Sequence, residues 1–146
     1  GDKIEIEKEL IKKKMVEIKK ITKIALIAYS VVNLLYGIMY VFLTDIFVTD
    51  ITGWTDPFHP RIFGGICLLS SIFAVIVLRK KEWDKIKLMY SYLFGLFIPT
   101  IIINITIFAI YAPTLNIGTI LLFIMGLILM CILFALGIYS YIKQRG

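Results

Sequence analysis

Charged and polar segments alternate along the chain with four long runs that are almost entirely apolar. These runs predict membrane spans at about 24–43, 61–78, 88–112 and 117–142. A helix needs roughly 20 apolar residues to cross the hydrocarbon core, and inside the bilayer a helix bonds all of its own backbone groups. Continuous apolarity also excludes the alternating pattern of a half-buried strand. The pattern therefore predicts an all-α integral membrane protein, a four-helix antiparallel bundle forming one domain over 1–146.

The N-terminal segment, residues 1–23, has a different pattern, with isolated apolar residues among charges. An apolar stripe recurs along one helical face, at Ile4, Ile11, Met15 and Ile18. This predicts an amphipathic cytoplasmic helix ahead of the first span. Such a helix either lies on the anionic inner leaflet or, because Ile4, Ile11 and Ile18 are seven residues apart, serves as a docking handle for a partner.

Composition and charge agree with a membrane location. The chain is 60% hydrophobic and 18% charged, which excludes a soluble catalytic domain of this length. Fifteen of the 16 lysines and arginines lie in the N-terminal segment, the 79–87 loop and the C-terminus. Basic residues concentrate on the cytoplasmic side, so both termini of this multi-pass protein are predicted to be cytoplasmic. The net charge of +6 thus reflects topology, and no nucleic-acid partner is predicted.

The densest polar group of residues lies between the first two spans. It contains the only histidine of the chain, and its candidate ligand- or lipid-contacting residues are Trp54, Asp56, His59 and Arg61. A carboxylate orients an imidazole and a guanidinium binds phosphate, so these side chains suit a proton donor and anion clamp at a membrane surface. The alternative is structural: Asp56 caps the next helix, Arg61 reaches a lipid headgroup or Asp56, and His59 is an interfacial residue.

The third span carries a mid-membrane proline, Pro99, which removes one helical hydrogen bond. Asn104 lies just beyond it, and Asn33 in the first span is its expected hydrogen-bonding partner. One interpretation is an interhelical hydrogen bond next to a proline kink. The other is a polar intramembrane pocket for a small or amphipathic ligand, with these candidate residues: Asn33, Tyr36, Tyr40, Thr100 and Asn104.

Aspartate, glutamate, lysine and arginine are missing from the apolar interiors of all four predicted spans. Ion-coupled transport normally needs a buried charge, so the pattern argues against an ion-coupled transporter. The two cysteines, Cys67 and Cys131, lie within apolar runs without a neighbouring ligand-forming residue, and we expect them to be packing residues. No metal, no cofactor and no catalytic residue is predicted.

Two short motifs resemble a known family. They are Arg61-Ile62-Phe63-Gly64, which continues to Ser71, and Ala112-Pro113-Thr114 between the last two spans. The chain resembles the small four-helix scaffold proteins of the endoplasmic reticulum that tether sterol C4-demethylation enzymes, the ergosterol-biosynthesis scaffold family. The order of spans and polar loops is also similar, although Phe97-Ile98-Pro99 replaces a histidine-bearing stretch of that family. The resemblance implies a non-catalytic protein that gathers membrane enzymes.

These observations favour a non-enzymatic scaffold or accessory subunit that binds membrane lipids and either a membrane-protein partner or further copies of itself. Two alternatives stay open. One is a small oligomeric channel or transporter that uses the kinked third span, and the other is a lipid-modifying enzyme at the outer interface.

Overall fold

The uncharged runs fold into long helices that pack side by side. A computed structural model describes residues 1–14 and 16–145. The α-helices are α1 (Asp2–Lys14), α2 (Lys20–Val41), α3 (Asp50–Thr52), α4 (Phe58–Arg79), α5 (Trp83–Gly95), α6 (Phe97–Tyr111) and α7 (Ile117–Arg145). Within the described ranges, four helical passages are long and apolar enough to cross a membrane: Lys20–Val41, Phe58–Arg79, Trp83–Thr114 and Ile117–Arg145. The prediction of an all-α four-helix membrane bundle is confirmed.

The close packing of α2 on α4 depends on small residues. The hydroxyl of Ser71 donates to the carbonyl oxygen of Ser30 at 2.9 Å, and the Ser30 hydroxyl donates back to the Ser71 carbonyl oxygen at 3.2 Å. Further along the same interface, a Cβ atom on Gly37 would lie 2.5 Å from Cγ of Leu68. A Cβ atom on Gly64 would lie 2.8 Å from Cγ2 of Val41 on α2. Small residues thus allow the two backbones to approach, as is typical of membrane helices.

The third passage is broken at Leu96, between α5 and α6. Pro99 has no N–H to donate to the carbonyl oxygen of Gly95, as its sequence position predicts. The Thr100 hydroxyl donates to the Leu96 carbonyl oxygen at 2.7 Å and so satisfies the backbone next to the break. Because of the break, α5 packs against both α4 and α7, whereas α6 packs against α7.

An aromatic cluster fills the half of the bundle that contains α5. The ring of Tyr29 lies 5.0 Å from that of Phe94 and 5.4 Å from that of Phe97, between centroids. Its hydroxyl donates to the carbonyl oxygen of Leu93 at 3.1 Å. The Tyr90 hydroxyl donates to the carbonyl oxygen of Gly137 at 2.9 Å, so both buried phenols are hydrogen-bonded. This half of the bundle is closely packed.

Gln144 joins the two termini at one end of the bundle, which we call the terminal end. This side chain is 2% exposed, and its Oε1 accepts from the backbone N–H of Lys19 and the hydroxyl of Thr22, each at 2.8 Å. Its Nε2 donates to the carbonyl oxygen of Glu17 at 2.9 Å. The 79–83 region also reaches this end, because the N–H of Trp83 donates to Val16.

The N-terminal region differs from the helix predicted over 1–23. Helix α1 ends at Lys14, and residues 16–19 are extended against the 80–83 region. Ile18 is consequently buried in the bundle, while Ile4 and Ile11 are each 60% exposed. The predicted apolar stripe is therefore divided between two environments. Its remaining member, Met15, lies outside the described residues.

At the opposite end, the loop end, part of the polar connection between α2 and α4 is helical. A π-helical turn covers Asp45–Thr49, α3 follows, and Gly53 ends it with a φ of 73°, a left-handed conformation that favours glycine. Asn116 at the start of α7 holds this segment, since its Nδ2 donates to the carbonyl oxygen of Thr52 at 3.0 Å. We call residues 45–53 the cap segment.

Candidate functional site

A cavity of about 510 Å³ lies inside the bundle, with lining residues from α2, α4, α6 and α7. It extends along α7 from Thr119 to Leu133, and the cap segment borders it at the loop end. Tyr29 and Phe97, which belong to the aromatic cluster, border the other end. The cavity lies where α6 packs against α7 but, along the described residues, not closely against α4, whereas α5 in the terminal half packs against both α4 and α7. Its volume lies in the range of about 300–1,000 Å³ that is typical of ligand pockets.

All five residues that the sequence nominates for an intramembrane pocket line this cavity. Helix α2 contributes Asn33, Tyr36 and Tyr40, and α6 contributes Thr100 and Asn104 from a different wall. The side chains of Tyr36 and Tyr40 stack with their ring centroids 5.9 Å apart. All five residues follow helical spacing on their own helix, at intervals of three or four residues, so each helix presents its polar residues on one face.

The expected hydrogen bond between Asn33 and Asn104 is not formed, and that prediction is wrong. Each amide Nδ2 donates instead to the carbonyl oxygen four residues earlier in its own helix: Asn33 to Tyr29 at 2.9 Å, and Asn104 to Thr100 at 2.7 Å. The two asparagines border the cavity rather than bridging it. Each amide group carries two N–H donors and one carbonyl oxygen, so both have further hydrogen-bonding capacity.

The Tyr36 hydroxyl is the least satisfied polar group at this site. Within the described part of the chain, this oxygen is buried and has no hydrogen-bonding partner. It lies close to α7, where a Cβ atom built on Gly126 would be 3.7 Å from it. A buried hydroxyl without a partner costs about 1–3 kcal/mol relative to a paired one. The oxygen itself has almost no accessible surface, although the Tyr36 side chain lines the cavity, so a polar ligand atom would reach it through a small rotation of the tyrosine ring.

Of the four candidates near the loop end, the structure brings two together. The Asp56 carboxylate pairs with Nδ1 of His59, and it also accepts from the backbone N–H of Phe58 at 2.9 Å, at the start of α4. Arg61 does not join them: its Nε lies 3.4 Å from the carbonyl oxygen of Val41. Trp54 is 55% exposed, and its backbone N–H donates to the hydroxyl of Thr52 at 3.1 Å. His59 is the one member of the four that also borders the cavity.

The Asp56 carboxylate has a lowered pKa, first because His59 is hydrogen-bonded to it and second because the Phe58 N–H is. We expect a carbonyl ¹³C NMR titration in micelles to give Asp56 a pKa below 3.8, the ordinary value. The substitution His59→Ala should move the pKa of Asp56 towards that value. The stabilisation from this pair is present above pH 3.8 and is lost as the pH falls through the lowered pKa. Arg61→Ala is the control, and a shift there equal to that in His59→Ala would contradict the pairing.

Several polar lining residues were not nominated from the sequence. They are Thr52 in the cap segment, Cys67 and Ser70 on α4, and Thr119 on α7. Cys67 is buried, as expected of a packing residue, yet it also borders the cavity. Single hydroxyl or thiol groups in apolar runs are common in membrane helices, so the sequence provides no signal that separates these four residues from others of their kind.

The chemistry of the cavity wall is neutral. Among the described residues, none of the lining side chains is an aspartate, glutamate, lysine or arginine, and His59 at the loop end is the one ionisable side chain besides tyrosine and cysteine. Most of the wall is aliphatic or aromatic, with a few hydroxyl and amide groups. An apolar cavity with a few convergent polar groups suits an uncharged amphipathic molecule.

Comparison of the chain with protein-family models, curated proteins and solved structures found no match. The candidate site therefore has to be interpreted from its own geometry.

Proposed function

We propose that this protein is a non-catalytic membrane protein that binds a lipid, or a small molecule of similar character, inside its helical bundle. The observation that carries the proposal is the cavity of about 510 Å³, which combines an apolar wall with the unpartnered hydroxyl of Tyr36. In a membrane, such a cavity is filled by hydrocarbon chains or by a dedicated ligand. The unpartnered hydroxyl favours a ligand with a polar group.

The geometry supports two other functions less well. A pore through a single chain requires a continuous path, but the aromatic cluster around Tyr29 and Phe94 occupies the terminal half of the bundle. A lipid-modifying enzyme at the interface would rely on Asp56 and His59, because Arg61 does not contact this pair. Two exposed side chains one helical turn apart are also explained by capping of α4.

The role we propose is that of an accessory subunit in the membrane, with the terminal end in the cytoplasm because of its excess of basic residues. Helix α1 carries exposed apolar side chains on its surface, among them Ile4, Ile6 and Leu10. Such a helix suits contact with the lipid surface or with a second membrane protein, including another copy of this chain. The resemblance to scaffold proteins of sterol metabolism is compatible with this role.

The proposal is tested by native mass spectrometry of the protein extracted from membranes in mild detergent. We expect one lipid-sized molecule per chain to survive collision energies that remove detergent and loosely bound lipids. A lipid extract added to protein stripped of this molecule should restore the complex and raise the melting temperature. If only lipid-free protein is found, both before and after the extract is added, the proposed function is wrong.

A further inference from the structure

Tyr36, Asn33 and Asn104 all line the cavity and carry polar groups that can bond to a ligand. Asn33 lies one turn from Tyr36 on α2, and Asn104 lines the cavity from α6. Each asparagine donates one N–H to its own helix, so the second N–H and the carbonyl oxygen of each amide can bond to a ligand. Together with the unpartnered hydroxyl of Tyr36, these groups can both donate to and accept from a ligand atom.

The absence of charge from this group of side chains restricts the ligand. Among the described lining residues, no lysine or arginine is available to compensate a carboxylate or phosphate, and no carboxylate is available for an amine. Burying an unpaired charge in an apolar environment is far more costly than burying a hydrogen-bonded hydroxyl or carbonyl. The polar end of the ligand is therefore uncharged.

Helix packing determines the side from which a ligand reaches the cavity. The cavity wall is closed wherever two of the lining helices pack together, which is the case for α2 with α4, α2 with α7, and α6 with α7. Along the described part of the chain, α4 and α6 do not pack closely on each other. Three residues from these two helices, Phe63, Ile66 and Ile103, line the cavity and are also exposed at the bundle surface, 40%, 54% and 55% respectively. They form the rim of a lateral opening that faces lipid.

We propose that an uncharged lipid with a terminal hydroxyl or carbonyl group enters sideways between α4 and α6, with its polar end foremost. That end bonds to Tyr36, Asn33 and Asn104, and the hydrocarbon part extends past the rim towards the bilayer. This inference rests on the proposed function and adds to it the class of ligand, its orientation and its route.

Photolabelling in phosphatidylcholine vesicles tests the orientation. The probe is a sixteen-carbon alcohol with a diazirine next to the hydroxyl, and a matched probe has the diazirine at the far end of the chain. We expect the first probe to label the peptides around Asn33 and Gly126, in competition with unlabelled alcohol. The second should label the rim residues of α4 and α6. The reverse pattern would overturn the orientation and leave the proposed function standing, whereas no competable labelling by either probe would contradict the proposed function itself.

A substitution tests the ligand class. Tyr36→Phe removes the unpartnered hydroxyl and retains the ring, and we expect about tenfold weaker competition by the alcohol, which corresponds to loss of one hydrogen bond. Tyr92→Phe is the matched control because Tyr92 is exposed on α5 and does not line the cavity. At neutral pH, palmitate should compete at least tenfold less well than the alcohol. Equal competition by palmitate, or an unchanged Tyr36→Phe variant, would overturn the proposed recognition.

Discussion

Gly64→Leu should lower the free energy of unfolding by about 3 kcal/mol, because overpacking a close helix interface forces the backbones apart. Even a Cβ atom at this position would lie 2.8 Å from Cγ2 of Val41 and 2.9 Å from Cβ of Tyr40. Cβ of Tyr40 is attached to the backbone, the branched side chain of Val41 has little freedom to rotate, and the backbone N of Val41 would be only 3.1 Å away. The change is measured by unfolding in mixed micelles with increasing denaturing detergent, or as a lower melting temperature.

The neighbouring glycine provides a matched control. A Cβ atom on Gly65 would have no atom within 4 Å, and this residue is exposed on the same helix. Gly65→Leu should therefore leave the stability nearly unchanged, or raise it slightly because leucine favours helix formation. Equal losses in both variants would mean that the close packing of α2 on α4 at Gly64 does not determine the effect.

Gly126→Leu should abolish lipid binding without unfolding the protein. A Cβ atom on Gly126 would sit 3.7 Å from the Tyr36 hydroxyl, an ordinary contact distance, so the substitution is accommodated. The remaining atoms of leucine would occupy the part of the cavity next to that hydroxyl. We expect the lipid-bound species in native mass spectrometry to fall at least tenfold, with a melting temperature in lipid-free detergent equal to or above that of the parent.

Gly65→Leu again serves as the control, since it adds the same side chain outside the cavity. It should retain the bound lipid. If Gly126→Leu also retains it at the parent level, the lipid lies on the surface of the bundle and not in the cavity, and the proposed site is wrong.

The break in the third passage can be predicted from the local sequence. Pro99 cannot donate a backbone hydrogen bond, so a discontinuity one turn before it follows from the chain alone. The structure has the break at Leu96. What the proline does not determine is which helices α6 packs against after the break. It packs against α7 and not closely against α4, and the cavity is lined by residues of all three helices.

The hydrogen-bonding partners of the two asparagines could not be predicted from the local sequence. Their depth in the membrane is readable from the spans, and both were nominated for a pocket. Their mutual hydrogen bond was wrongly predicted because an asparagine in a helix can donate to the carbonyl oxygen four residues earlier, as Asn33 and Asn104 do. Whether an amide forms a hydrogen bond within its own helix or to another helix depends on the distance between the helices. The local sequence does not determine that distance.

Gln144 and Ile18 were missed for a related reason. A glutamine near a basic C-terminus is expected at the surface, and Ile18 was predicted as part of the apolar stripe of the N-terminal helix. Both are buried because residues 16–19 leave the helical path and cross the ends of α2 and α7. Contacts between residues more than 120 positions apart along the chain, such as Lys19 with Gln144, have no local signature.

The sequence by itself determined that this protein is a bundle of four membrane helices without aspartate, glutamate, lysine or arginine in the apolar interiors of its spans. These properties follow from run length and apolarity, which are local and which the bilayer enforces. The tertiary structure alone decided that the polar residues of two helices border one cavity, that Tyr36 is left without a partner in the described part of the chain, and that α4 and α6 stay apart. The physical reason is that a cavity is a property of the spacing between helices, which depends on small residues at some contacts and on a break in one helix.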